Sequence, residues 1–179
     1  MRRGVAIAAM VIALGVSGVG AYQLAPSPAE QTVHWREIAW PFPRDGWPAG
    51  RAFRCDGACA GAELYIRAKR GFCNCNRGVA DDDEVDRVAD IDLISPRFAA
   101  VAPGEEVGVG ELRGRARRYD LDMPDVRHVA IGIAVSRRCD LFVAAAQGRA
   151  EADVVQRTAL AFLETEGMRT WVAAALDGR

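Results

Sequence analysis

Val129-Ala130-Ile131-Gly132-Ile133-Ala134-Val135, the turn Ser136-Arg137-Arg138, and the run from Cys139 to Ala146 form the stretch that decides the fold. Two β-rich runs rich in branched aliphatics and alanine, joined by a short basic turn, read as a core hairpin that ends at Gly148. Downstream the period changes from two to 3.6. Val155, Ala159, Phe162 and Leu163 recur at helical spacing, with Gly167 placed to cap that helix. Met168, Trp171, Val172, Ala175 and Leu176 then predict a second helix. Both helices carry one apolar face, which suits packing on a sheet.

Upstream of the hairpin, Glu111-Leu112-Arg113-Gly114-Arg115-Ala116-Arg117-Arg118-Tyr119 alternates, putting Arg113, Arg115 and Arg117 on one face of a strand. Such a row is usually a solvated face. It could also hold an anionic headgroup, a polyanion, or the acidic stretch that precedes it. That stretch, residues 81–92, has seven acidic residues in twelve. It lacks EF-hand spacing and a glycine at the sharp turn, so calcium is the weaker reading. A short helix over Asp82–Ala89 fits better, with acidic groups in its first turn and Val85, Val88 and Ala89 facing the core.

Further upstream, Arg51-Ala52-Phe53-Arg54-Cys55 and Glu63-Leu64-Tyr65-Ile66-Arg67 read as strands. Beyond the turn Lys69-Arg70-Gly71, residues 71–75 are expected to return as a hairpin partner. The fold class that results is α+β. It has an antiparallel sheet of about five or six strands, two C-terminal helices packed on one face, and a disulfide-stapled N-terminal part. Residues 51–179 make its single domain, preceded by a Pro/Trp-rich extended arm over 26–50 and a leader over 1–25. In the arm, Trp35, Trp40, Phe42 and Trp47 are expected to lie on the domain as a lid, or else to form an exposed recognition patch.

The leader opens with Arg2 and Arg3, followed by an uncharged apolar run from Gly4 to Tyr22. Two positive charges before such a run are an export signal. The run is either cleaved, with a site after Ala21, or retained as an anchor in the inner membrane through residues 4–22. Either way the remainder is expected in the periplasm, soluble or tethered. The abundance of arginine over lysine, with Lys69 the only lysine, matches the coding bias of a GC-rich bacterial genome.

Location sets the expectation for the five cysteines, because an oxidising compartment favours disulfides. Cys55, Cys59, Cys73 and Cys75 follow the pattern Cys-x3-Cys-x13-Cys-x-Cys. A bridge between Cys73 and Cys75 would be strained, so each is expected to pair with Cys55 or Cys59, closing loops of roughly 15–20 residues worth about 3 kcal/mol each. Two alternatives use the same residues: a thiolate metal site, or a redox pair at Cys73-Asn74-Cys75. Cys139 is expected as a buried core thiol, or as the partner of one of the four.

Composition bounds function by exclusion. Half of the residues are hydrophobic and 26% are charged, which is the profile of a folded globular chain. Removing Arg2 and Arg3 from 23 basic residues leaves 21 against 24 acidic ones, so nucleic acid is a poor partner. No nucleophile elbow, zinc-protease motif, Walker loop or Rossmann glycine pattern is present, and no cofactor is implied. The expectation is a non-catalytic envelope accessory or binding protein with a possible protein partner. Its contact surface would be Arg113, Arg115, Arg117 and Arg118, or Trp35, Trp40 and Trp47.

Overall fold

A computed structural model describes residues 33–59, 61–71, 75–123 and 128–178; the leader lies outside them. Within these residues the strands are β1 (His34–Ile38), β2 (Arg51–Asp56), β3 (Glu63–Lys69), β4 (Phe98–Ala100), β5 (Glu105–Val109), β6 (Leu112–Leu121), β7 (His128–Arg137) and β8 (Asp140–Gly148). They form one antiparallel sheet in the order β1-β2-β3-β8-β7-β6-β4, with β5 also paired to β6. The core hairpin read from the sequence is β7–β8, at the centre. The sheet has eight strands where five or six were expected. β1 extends it from within the Pro/Trp-rich arm, while β4 is three residues long and β5 carries Gly108, so each is too short or too irregular to show period two. The expected hairpin return over 71–75 falls partly on residues 72–74, outside the described ones. Cys75 itself sits in a turn, and β3 pairs with β2 and β8.

Alternation along the strands gives the sheet two unlike faces. Leu64, Ile66, Ile131, Ile133, Val135, Phe142, Ala144 and Ala146 point one way. Against them pack α3 (Ala152–Leu163) through Val155, Ala159 and Leu163, and α4 (Glu166–Asp177) through Met168, Val172 and Leu176. These are the two C-terminal helices expected on one face. Gly167 is not a cap: it lies in the first turn of α4, because the junction at Glu164 and Thr165 is tight enough for the next helix to start immediately. The glycine that does cap is Gly178, with φ of 76°.

The opposite face is also covered. There α1 (Asp82–Val88) and the single turn α2 (Ile91–Ile94) bury Val85, Val88 and Ile91 against Ala130, Ala134, Tyr119 and Ala145. Where α1 crosses β7 this face carries Ala130, Gly132 and Ala134, and the small side chains let α1 approach closely. A Cβ on Gly132 would stand 2.8 Å from Ala89 Cβ and 3.0 Å from the Tyr119 ring. α1 has the acidic first turn and buried Val85, Val88 and Ala89 that its sequence implies, and the Asp81 side chain caps it by accepting from Glu84 N–H.

Among the described residues two disulfides are formed, Cys55–Cys59 and Cys75–Cys139. The pairing differs from the expectation that Cys73 and Cys75 join Cys55 and Cys59. The first bridge closes a local turn after β2, beside Trp35. The second spans 64 residues and ties the segment after β3 to the β7–β8 turn, so it does the long-range stapling. Cys139 is accordingly a half-exposed turn residue and not a buried core thiol. Cys73 lies outside the described residues. Among the described residues no helix is long and apolar enough to cross a membrane.

Candidate binding surfaces

The arginine row of β6 meets the acidic helix. Arg115 donates to Asp82 Oδ1 at 2.9 Å and to the Gly104 carbonyl at 2.7 Å, while Arg117 donates to Asp86 Oδ2 at 2.6 Å. The Tyr119 hydroxyl donates to the other oxygen of Asp86 at 2.6 Å. Burial and that carboxylate push the Tyr119 phenol well above the usual range. The Gly104 N–H, followed by Arg115, holds the Asp82 carboxyl below its ordinary value. Two charge runs that each suggested a ligand thus satisfy one another across the α1–β6 interface. Arg113 donates to the Gly110 and Leu112 carbonyls, closing the β5–β6 turn. Arg118 points to the other face and joins Gln156, Glu105 and Asp153.

The tryptophan arm divides. Trp40 and Phe42 pack edge-on against Tyr65, with Phe42 centred 4.7 Å from that ring. Beneath them lies a buried ionic cluster that the sequence did not suggest. Arg67, only 4% exposed in its side chain, donates to Asp45 at 2.7 Å and to Asp90 at 2.6 Å. Lys69 donates to Asp90 at 2.5 Å and to the Val88 carbonyl at 2.9 Å. The Trp40 ring lies over the Arg67 guanidinium at 5.8 Å and the Trp47 ring over the Lys69 ammonium at 5.9 Å. Two cations and two carboxylates balance, and the rings close the top. Burial lowers the Lys69 ammonium pKa even though Asp90 opposes the shift, and a hydrogen bond from Arg67 pulls the Asp45 carboxyl down to about 2. This part of the arm is a lid.

Trp35 behaves differently. It stacks on Phe162 at 4.9 Å and borders the Cys55–Cys59 bridge, yet it also lines an open groove of about 480 Å³. Val33, 51% exposed, and Arg157, Thr158, Ala161 and Thr165 complete the groove. The α3 residues of its wall were not foreseen as a surface. Their only signal was Phe162, which sits on the apolar stripe of that helix but at its margin. β1 is the terminal strand of the sheet, and among the described residues nothing pairs with its outer side. The Trp35 indole N–H is buried and has no acceptor among the described residues.

Cys55, Cys59 and Cys75 are held in disulfides, so in this state they offer no thiolates to a metal. Among the described residues no group of three or more His, Cys, Asp or Glu is placed to hold an ion. Comparison with known proteins adds no relative. No protein-family model matches the chain, and no curated protein matches its sequence.

Proposed function

We propose that this chain is an exported, non-catalytic binding protein of the bacterial envelope. It works in the periplasm, soluble or tethered by residues 4–22, and captures an extended segment of a partner protein along β1. One observation carries this reading: among the described residues β1 is an open sheet edge, and its neighbouring groove, built on Val33, Trp35 and Phe162, leaves apolar surface to solvent. An added strand would gain main-chain hydrogen bonds from that edge, and a side chain on it would fill the groove. The arginine row and the other arm tryptophans support the reading by contrast, since Arg115, Arg117, Trp40 and Trp47 are engaged within the fold. Two disulfides suit an oxidising compartment.

Photo-crosslinking in cells tests the proposal, with the reactive side chain placed at position 33, just before β1, or at position 36 on it, and at position 97 as a control. Arg97 is 76% exposed and precedes β4 at the far edge of the sheet. One envelope protein should be trapped from positions 33 and 36 but not from 97, and Val33→Asp, a surface change, should reduce the yield at 36. Equal trapping from position 97, or none from β1, overturns the docking surface. Recovery of the mature chain from the cytosol with all its thiols reduced overturns the export.

A further inference from the structure

A second cleft, which borders the same α3–α4 junction as the Trp35 groove but shares no lining residue with it, carries charges that pair with nothing among the described residues. It lies where the β5–β6 turn meets the α3–α4 junction and holds about 540 Å³, within the range of small-molecule sites. Its base is aliphatic: Val109 and Val172 are 2% and 3% exposed, with Leu112 and Ala173 beside them. Arginines and glutamates of both signs form the rim.

Some of these are committed. Arg137 is bonded to Asp177, and Glu164 accepts the Gly110 N–H at 2.7 Å. That bond and the positive φ of Gly110, 59°, set the shape of the turn that walls the cleft. A Cβ at Gly110 would stand 3.4 Å from Arg169 Cδ, so the aliphatic stem of Arg169 lies against the turn. By contrast, the side chains of Arg169, Glu111 and Glu166 have no hydrogen-bond or ion-pair partner among the described residues, although all three line the same cleft. Arg67, Arg115 and Arg117 are paired within the fold, whereas Arg169 shares its cleft with two carboxylates it does not bond. Here one guanidinium and two carboxylates stand uncommitted around an aliphatic floor.

We propose that this cleft binds a free aliphatic α-amino acid. Its carboxylate would pair with the Arg169 guanidinium, which offers two parallel donors to such a group. Its ammonium would lie with Glu111 and Glu166, and its side chain on Val109, Leu112 and Val172. The chemistry selects against simple anions, because the rim carries more carboxylate than guanidinium once Arg137 is matched by Asp177. Simple cations lack the group that Arg169 requires. The cleft adjoins the Trp35 groove at the α3–α4 junction but has its own lining residues, and its test uses no protein partner.

Calorimetric titration of the full-length, oxidised protein with L-leucine tests this. Saturable one-site binding is expected. N-acetyl-leucine, which lacks the ammonium, and leucinamide, which lacks the carboxylate, should each bind about tenfold more weakly or worse. Arg169→Gln and Glu166→Gln should weaken leucine by a similar factor. Both positions are exposed and outside the core, and unchanged thermal unfolding of the variants would verify that the fold is intact. No saturation with leucine or valine up to about 10 mM overturns the site, since that limit corresponds to an interaction too weak to be specific. So does equal affinity for leucine and leucinamide, or full binding by Arg169→Gln.

Discussion

The two faces of this sheet solve the same problem with opposite chemistry. On the α3–α4 side, Ile131, Ile133, Val135, Leu64, Ile66 and Phe142 meet aliphatic residues of two amphipathic helices, and the contact is apolar and non-directional. On the α1 side the central strand carries Ala130, Gly132 and Ala134, so the helix sits close, and the flanks are held by ions. Arg115 and Arg117 bind α1 on one flank, while Arg67 and Lys69 bind Asp90, just after it, on the other. An aliphatic face tolerates small sliding, because hydrophobic contact has no direction. Charge-assisted hydrogen bonds fix α1 and the arm in one register. The cost is dependence on every partner being present, since a buried charge left alone is far worse than a missing methylene.

The largest effect expected from this contrast is at Asp90. Asp90→Asn keeps a residue that tolerates the left-handed backbone found there, φ of 62°, and removes the carboxylate shared by Arg67 and Lys69. Leaving Lys69 buried beside a neutral amide should cost about 3–5 kcal/mol in chemical unfolding. Ile133→Ala on the other face should cost about 2–4 kcal/mol through cavity formation. The two should respond differently to pH. At alkaline pH Lys69 can lose its proton, so the Asp90→Asn penalty should shrink, while the Ile133→Ala penalty should stay constant. Equal pH responses would mean that the ionic cluster contributes nothing specific.

A smaller effect is expected at the α1–β6 interface. Arg115→Ala and Arg117→Ala remove charge-assisted bonds at positions about 20% and 18% exposed in their side chains. Each should lower stability by about 1 kcal/mol, a loss reduced by salt because solvent partly screens these pairs. Thermal melts in low and high salt check this. Unchanged melts would return the row to the role of an open binding surface.

What could be read from the sequence follows the same division. The aliphatic face was legible, because β7, β8, α3 and α4 carry uninterrupted periodicity and hydrophobic contact asks only for the right spacing. Helix α1 was legible too, since an acidic first turn and three apolar residues at helical spacing are local signals. The pairing of α1 with the β6 arginines was visible only as one alternative, because nothing local says which acid meets which base. The Arg67–Lys69 cluster was hidden for a further reason. Tyr65, Arg67 and Lys69 alternate with Leu64, Ile66 and Ala68, which is the pattern of a strand with one wet face. Burial came from the arm, where Asp45 lies 22 residues before Arg67, and from Asp90, 23 residues after it. The disulfide pairing failed similarly: proximity in sequence favoured Cys55 and Cys59 as partners for Cys75, but the strand order β3-β8-β7 brings the β7–β8 turn, and Cys139 with it, beside the end of β3. The Trp35 groove needed a wall from α3, which no local signal joins to β1.

The smallest effect sharpens where the ionic face begins to loosen. Asp45 stands at the tip of the arm, 28% exposed in its side chain, accepting from Arg67 and from the Trp47 backbone N–H. Its carboxyl titrates near 2 in the folded protein against an ordinary value of 3.8. A depressed carboxylate contributes stability that is complete above the unfolded value and is lost as pH falls through the folded one. The arm should therefore be fully held above about pH 4 and released as pH drops toward about 2, a contribution of at most about 2 kcal/mol given the exposure. Trp40 and Trp47 report this directly, because each lies over a cation whose fixed position affects its fluorescence. An acid transition in tryptophan emission, preceding loss of the far-ultraviolet sheet signal, is expected in the native chain. In Asp45→Asn it should be absent, with the arm already loosened at neutral pH. If the emission change and the sheet signal move together, the arm is not a separable lid but an integral part of the ionic face, and the contrast between the two faces then extends to the whole of that side.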